Sequence, residues 1–498
     1  MSSSLFDQLR ELPPTTELAL ESGATRLGLS DLQSRSESLA QTLQQLGAER
    51  VAVYADNGID WIVADLACQV AGLTVVPLPL FFSAEQIGHT LEASSIDTII
   101  SDRDLETIVP GAELAPAVGP LPAVADRIYQ LQPATLHALP PGTQKITFTS
   151  GTTGTPKGVC LSSAQQLTLG ASLVTTIGLE APKHLCVLPL STLLENLAGV
   201  YAPLMSGGTV VVPTLAEVGL TGSSGLDVNQ WLTCIGQHQP NSLILVPEML
   251  RALTLAAEAG WPVPSSLQFV AVGGGKVAPD LLRRARATGI PAFEGYGLSE
   301  CSSVVCLNAP GADRVGAAGL PLSHVAVNIE DDEIVVRGST FLGYVNQPDT
   351  WGSDEVRTGD IGHIDADGFV HVSGRRKHQL ITSFGRNLSP EWVESELLAG
   401  LILDQAVVLG DDRPFCVALV APRDTLCSDA DIASWINTVN LRLPDYARIG
   451  DWFRLPRALG VNDDLLTENG RLKRAEIERT YRHVIDDMYN IRKEVSGL

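Results

Sequence analysis

The sequence predicts an α/β protein: a large N-terminal domain of layered sheets and helices, followed by a small α+β C-terminal domain. Three observations predict it. Short apolar runs alternate with stretches of helical period through the first 370 residues, as parallel sheets covered by helices require. The texture changes after residue 375, leaving about 120 residues, the size of an independent unit. The full chain of 498 residues, at about 150 per domain, is long enough to bury more than one core.

The elements follow in order. Leu32–Leu46 has apolar positions three and four apart and reads as a helix. Val51–Tyr54, Leu73–Val76 and Thr98–Ile100 are short β-rich runs. Residues 133–144, rich in proline and polar groups, read as a loop leading into a strand over Lys145–Phe148. Further strands are expected at Val187–Leu190, Thr209–Val212 and Phe269–Val272, and a helix at Asp280–Thr288. In the small unit, Phe415–Val420 reads as a strand and Asp431–Arg442 as a helix capped by Asp429. Arg474–Tyr489 reads as one terminal helix.

Composition excludes several classes. Apolar residues make up 45% and charged residues 18%, too apolar for a disordered chain. Lys and Arg number 34 against 57 Asp and Glu, a net charge of −23 that repels nucleic acid and anionic lipid and leaves room only for a local basic site. The imbalance is uneven: residues 378–498 carry 14 of the basic and 19 of the acidic groups. The most apolar stretch, Trp61 to Phe82, is interrupted by Asp65, Gln69, Pro77 and Pro79 and reads as core rather than membrane span. No basic-then-apolar leader opens the chain, and the eight cysteines form no CxxC pair; both fit free thiols in a cytoplasmic protein. The nine histidines show no ligand spacing and suggest no metal site.

The strongest chemical signal is Thr147–Gly158, TFTSGTTGTPKG, where a strand runs into a loop of glycines and hydroxyls closed by one lysine. Glycines allow close backbone approach to an anion, hydroxyls donate hydrogen bonds and the lysine adds charge. Thr149, Ser150, Gly151, Thr152, Thr153, Gly154 and Lys157 are therefore candidate phosphate ligands. The loop is not a Walker A motif, because Pro156 precedes Lys157 and Gly158 follows it.

With four further segments in order, this loop resembles the ANL superfamily of adenylate-forming enzymes: acyl-CoA synthetases, adenylation domains and luciferases. The others are Glu294-Gly295-Tyr296-Gly297-Leu298-Ser299-Glu300, Arg357-Thr358-Gly359-Asp360, Gly374-Arg375-Arg376-Lys377 and Gly385-Arg386-Asn387-Leu388-Ser389-Pro390. The resemblance covers nearly the whole chain. It implies residues 1–374 as the domain for ATP and the acid, 375–377 as a hinge about Lys377, and 378–498 as a mobile lid. It further implies that Gly273, Gly274 and Gly275 pass between adenine and the acyl chain, with Glu294 to Gly297 around the nucleotide. A tyrosine beside a glycine turn, Tyr296, offers a stacking face to a purine. By resemblance Ser299 contacts the α-phosphate, Asp360 takes the ribose hydroxyls, and Arg375 contacts the nucleotide. Glu300 is a hard oxygen ligand suited to Mg²⁺. His378, next to the hinge, is read as a solvated side chain.

The chain departs from the family at its end. Where the family carries a lysine that bridges carboxylate and α-phosphate, this chain has Arg471, with Lys473 two residues on. Either cation can neutralise charge developing as a carboxylate attacks phosphorus, although their geometries differ. On one strand the two would share a face, and Lys473 is favoured as the cation that reaches in.

The resemblance places the acyl pocket around Leu193, Leu194, Glu195, Leu197 and Val200. The segment is mostly apolar and has no Asp to pair an ammonium, which favours a fatty acid. Gly385 resembles the position where a pantetheine thiol passes. The expected reaction is activation of the acid by ATP and Mg²⁺ to acyl-AMP, then thioester formation with CoA. Two alternatives stay open: transfer to an acyl carrier protein or an amine, and an impaired homologue that binds nucleotide or acyl group without catalysis.

Overall fold

The computed structural model describes residues 4–496 apart from 14–15, 106–107, 116–126, 150–155, 223–224, 384–385, 461–462 and 468–470, and all described side chains except those of Asn387 and residues 490–496. Two extended sheets form the large unit. In the first, the parallel strands Thr74–Pro77, Arg50–Tyr54 and Thr98–Ser101 lie side by side, flanked by the hairpin of Lys145–Thr149 and Lys157–Leu161. The second is built around the parallel strands Ala292–Tyr296, Phe269–Val272, Ser242–Leu245, Lys183–Leu185 and Thr209–Val211.

Side-chain alternation divides the first sheet between two cores. Val51, Val53 and Val75 face a central core shared with the second sheet, whereas Ala52, Tyr54 and Val76 face an outer one. Both faces are apolar because both are covered, as parallel sheets demand. Helices Leu29–Gln45, Ile59–Ala71 and Ser163–Ile177 fill the space between the sheets. On the far side of the second sheet, Leu243, Leu245, Val270 and Val272 pack under helices Pro247–Glu258 and Pro279–Ala287.

An antiparallel sheet of Val325–Glu330, Glu333–Gly338, Glu355–Ile364 and Val370–Arg375 follows, which the alternation of runs and helices had not foretold. The 3₁₀ turn Arg376–His378 leads into the small unit, whose sheet of Leu403–Leu409, Cys416–Pro422 and Ile449–Arg454 is covered by helices Pro390–Leu398 and Asp429–Asn440.

Several sequence expectations need correction. Val187–Leu190 is not a strand, since the neighbouring strand ends at Leu185. Asn57 takes over the backbone there: its Nδ2 donates to the Leu188 carbonyl at 2.8 Å and its Oδ1 accepts from the Leu190 N–H at 2.8 Å. The helix expected to be capped by Asp429 starts there instead, because Ser428 forms a capping box with Asp431. The terminal helix is broken at Tyr481 into Arg474–Thr480 and Arg482–Ser496, so Ile477, Ile485, Met488 and Tyr489 all enter one core.

Candidate active site

The candidate site lies past the carboxyl ends of strands in the second sheet, the crevice where open α/β sheets bind ligands. Strand Phe269–Val272 ends at Gly273–Gly275 and strand Ala292–Tyr296 ends on the glycine-tyrosine segment. Gly274 has φ +81°, a conformation that L side chains rarely adopt. At Gly297 a Cβ would lie 1.8 Å from the Ser303 carbonyl oxygen, so only glycine fits the turn after Tyr296.

Tyr296 donates its hydroxyl to Asp360 Oδ2 at 2.5 Å, and Arg375 Nε lies 2.8 Å from Asp360 Oδ1. Strand pairing dictates this grouping, because Asp360 and Arg375 are register partners in the antiparallel sheet. The Asp360 residue is buried; burial pushes its carboxyl upward and Arg375 counters that shift. Burial also lifts the Tyr296 phenol well above its ordinary value. Glu294, buried beneath the same turn, is raised to about 7 by burial, with the Lys276 ammonium opposing.

The phosphate end is assembled from the other sheet. Thr149 and Lys157 are register partners across their hairpin and so hold the two ends of the intervening loop together. Glu300, in the 3₁₀ turn Ser299–Cys301, accepts from the Tyr344 hydroxyl at 2.6 Å. The Lys157 ammonium stands 5.3 Å from the centre of the Tyr344 ring. Lys157, Tyr344 and Glu300 thus form one cluster, of which the sequence reading had missed Tyr344. Ser150, Gly151, Thr152, Thr153 and Gly154, as well as Gly385, lie outside the described residues.

The small unit adds cations. Burial lowers the Lys377 pKa, and Arg375, Arg471 and Lys157 lower it further while Asp360 opposes. Arg471 is exposed at its surface, yet partial loss of solvation lowers its pKa, with Arg375 adding to the effect and Asp360 opposing it. Arg375, Arg471 and Lys157 are thus each within electrostatic reach of Lys377, a local gathering of cations in a chain of net charge −23. Lys473 points elsewhere and is ion-paired with the exposed Asp464. Residues 471–473 do not form the strand that would place both on one face. Leu472 makes a single bridge to Leu466, and Lys473 already caps the next helix. His378 is not merely solvated, since its Nδ1 lies 2.6 Å from Glu391 Oε1.

Two arginines of the large unit hold the small one. Arg251 donates to the Leu403 carbonyl at 2.9 Å, and Arg284 to that of Ala399 at 2.6 Å. Ala399 itself is buried in the core on the far side of the second sheet.

The expected acyl-pocket residues lie along and just before a π-helix, Glu195–Tyr201. Leu193, Leu197 and Val200 are buried in the central core, and Leu194 packs against both cores beside the second sheet. Glu195 is fully buried and turned to His184, its Oε1 lying 3.1 Å from Nε2. One histidine, His184, lies with Cys186 and Glu195 in a buried group that could hold a metal ion, a grouping the sequence reading did not single out.

Comparison with known proteins agrees with this architecture. The AMP-binding enzyme family matches residues 6–345, and the AMP-binding enzyme C-terminal domain matches residues 377–493. The 2-succinylbenzoate–CoA ligase of Bacillus licheniformis is 28% identical over 81% of this chain and 86% of its own. A long-chain-fatty-acid–CoA ligase of Mycobacterium bovis is 24% identical over 89% of this chain and 88% of its own. The crystal structure of the anthranilate CoA ligase AuaEII with anthranoyl-AMP superposes with a TM-score of 0.79 at 18% identity, covering 96% of this chain and 97% of that one.

Proposed function

This chain belongs to the AMP-binding enzyme family, and from that premise we propose that it joins a carboxylic acid to CoA in two steps. In the first, a carboxylate oxygen attacks the α-phosphorus of ATP, giving acyl-AMP and pyrophosphate. In the second, the CoA thiol attacks the acyl carbon, the thiol proton is lost, and AMP leaves. The observation that carries this reading is the bonded group of Tyr296, Asp360 and Arg375, together with the cluster of Lys157, Tyr344 and Glu300.

Each group has a role that its chemistry supports. Asp360 accepts from the ribose hydroxyls, held by Arg375 and Tyr296. Lys157 and the loop that its hairpin closes take the β- and γ-phosphates, while Ser299 donates to the α-phosphate. Glu300 is the carboxylate that would hold Mg²⁺, a hard oxygen donor beside the phosphate end. Bound there, Mg²⁺ would neutralise phosphate charge and favour loss of pyrophosphate. Arg471 is assigned as the cation at the reacting phosphorus, because the Arg375 and Asp360 charges act on it whereas Lys473 is paired with Asp464. Rotation of the small domain about Lys377 then admits the thiol past Gly385.

The acid assigned is a fatty acid. No Asp lies between Pro189 and Gly208, and the single carboxylate there, Glu195, is engaged by His184 and not available to an ammonium. The test is a mass-spectrometric assay with ATP, Mg²⁺ and straight-chain, aromatic and amino acids, with and without CoA. Acyl-CoA and AMP from straight-chain acids only when CoA is present are expected. Preference for aromatic acids would overturn the acid assignment, and acyl-AMP left unchanged by CoA would overturn the acceptor. Arg471→Ala is expected to slow pyrophosphate release by about 10²–10³-fold, the scale of one lost transition-state contact, and Lys473→Ala far less. Equal losses would refute the assignment of Arg471.

A further inference from the structure

Away from the nucleotide crevice, the core of the large unit holds a cluster that the two-step reaction does not use. Strand Lys183–Leu185 and the residue that follows it present His184 and Cys186, two positions apart, on the side facing the π-helix Glu195–Tyr201. His184 is 2% exposed, and Cys186 and Glu195 are 0% exposed. One donor atom from each lies within 4.8 Å of the other two. His184 Nδ1 is 2.9 Å from the Ser242 hydroxyl, which fixes the ring so that Nε2 points at Glu195.

Two features show that this is more than close packing. Glu195 Oε1 is engaged by His184 Nε2, yet its fully buried Oε2 makes no hydrogen bond, a costly arrangement for a carboxyl oxygen. Gly199 supplies the room: a Cβ there would lie 2.6 Å from Glu195 Oε1 and 2.8 Å from His184 Nε2. The π-helix adds a residue to its turn and brings Glu195 and Gly199 over the histidine, a distortion often found at functional sites.

We propose that His184, Cys186 and Glu195 form a buried structural zinc site, with imidazole, thiolate and carboxylate as ligands and Ser242 orienting the imidazole. The donor set selects the metal: a sulfur ligand disfavours Mg²⁺ and Ca²⁺, while mixed nitrogen, sulfur and oxygen donors suit Zn²⁺. Each of the three residues offers one donor atom, and the unpartnered Oε2 of Glu195 is the carboxylate oxygen left free to bind. Binding forms the Zn–S bond and releases the thiol proton to solvent, so uptake weakens as pH falls. Complete burial means that the ion enters during folding and leaves slowly. The site pins the π-helix to the second sheet, and it is independent of whatever acid or acceptor the crevice takes.

The test is metal analysis of the full-length chain, purified without an affinity tag or chelator from zinc-supplemented cells. The expected result is about one zinc per chain and a melting midpoint that drops when the metal is removed under denaturant and the chain refolded without it. Refolding with Co²⁺ should give a sulfur-to-cobalt charge-transfer band that Cys186→Ser lacks. Zinc below about a tenth of an equivalent, with a midpoint unchanged by refolding with or without zinc, would overturn the proposal. So would zinc retained undiminished in both His184→Gln and Cys186→Ser. The wild-type measurements decide the matter even if those variants fail to fold.

Discussion

The clearest quantitative consequence of the fold is a buried ion pair between the sheets. Lys145 is 0% exposed, with Nζ 3.0 Å from Asp65, 2.5 Å from Asn196 Oδ1 and 3.0 Å from the Tyr201 hydroxyl. Burial pulls the lysine pKa down and Asp65 pushes it back up. Lys145→Met keeps the length of the stem and removes the charge. Asp65 then retains the Tyr201 hydroxyl at 2.7 Å and Asn196 Nδ2 at 3.3 Å, but no counter-charge. Breaking one side of a buried pair costs about 3–5 kcal/mol, and these remaining donors argue for the lower end, about 3 kcal/mol. Replacing both partners by apolar groups of similar size is often neutral, so Asp65→Leu combined with Lys145→Met should regain at least half of the loss. The assay is urea unfolding followed by tryptophan emission, because Trp61 is buried in the same helix as Asp65 and reports the transition of the large unit. A loss below about 1 kcal/mol in Lys145→Met would mean that the pair is held neutral, and the argument from buried charge would fail.

Three further outcomes follow from the same geometry. Glu294 has a folded pKa of about 7 against an ordinary 4.5, so between those values the native state binds the extra proton and stability falls as pH rises; at about 1.36 kcal/mol per pK unit the full span amounts to about 3 kcal/mol. Glu294→Gln should lack that decline when urea midpoints at pH 4.5 and 8 are compared, and parallel declines in both proteins would refute it. Asp360→Asn should weaken ATP binding about 10–100-fold in equilibrium titration, the scale of a lost hydrogen bond to a charged group; unchanged affinity would remove Asp360 from the nucleotide site. Arg251→Met combined with Arg284→Met removes the donors to the Leu403 and Ala399 carbonyls. Limited proteolysis should then cut residues 376–389 several-fold faster while each unit stays intact, and an unchanged cutting rate would show that these arginines do not hold the units together.

Local signals carried much of the fold and part of the site. The runs at 51–54, 98–100 and 269–272 were legible because parallel strands covered on both faces must be apolar throughout. The phosphate-suited residue types around Lys157 were legible locally, whereas the contact of Tyr296, Asp360 and Arg375 was expected only through the resemblance of their segments. What escaped depends on pairings set by tertiary structure. Val187–Leu190 has strand composition, but a side chain 131 residues away in sequence takes its backbone hydrogen bonds. Neither Arg251 nor Arg284 differs in sequence from an ordinary surface arginine; only docking of Ala399 into the core on the far side of the second sheet gives them carbonyls to bind.

The segment Glu195–Tyr201 shows why such losses concentrate where they do. Its leucines and valine suggest an acyl pocket or a core helix equally well, and the sequence has no mark for a π-helix. Yet its polar residues decide the packing. Glu195 turns to His184, whereas Asn196 and Tyr201 turn to the Asp65–Lys145 pair. One short helix is thereby tied by buried polar contacts to both sheets. A buried polar group left without its partner is expensive, so the two contacts together permit few alternative positions for the helix. The rigidity of the wall expected to face the acid would then rest on residues distant from the nucleotide motifs. Variants at His184 or Lys145 should accordingly change which acids are accepted before they change the affinity for ATP.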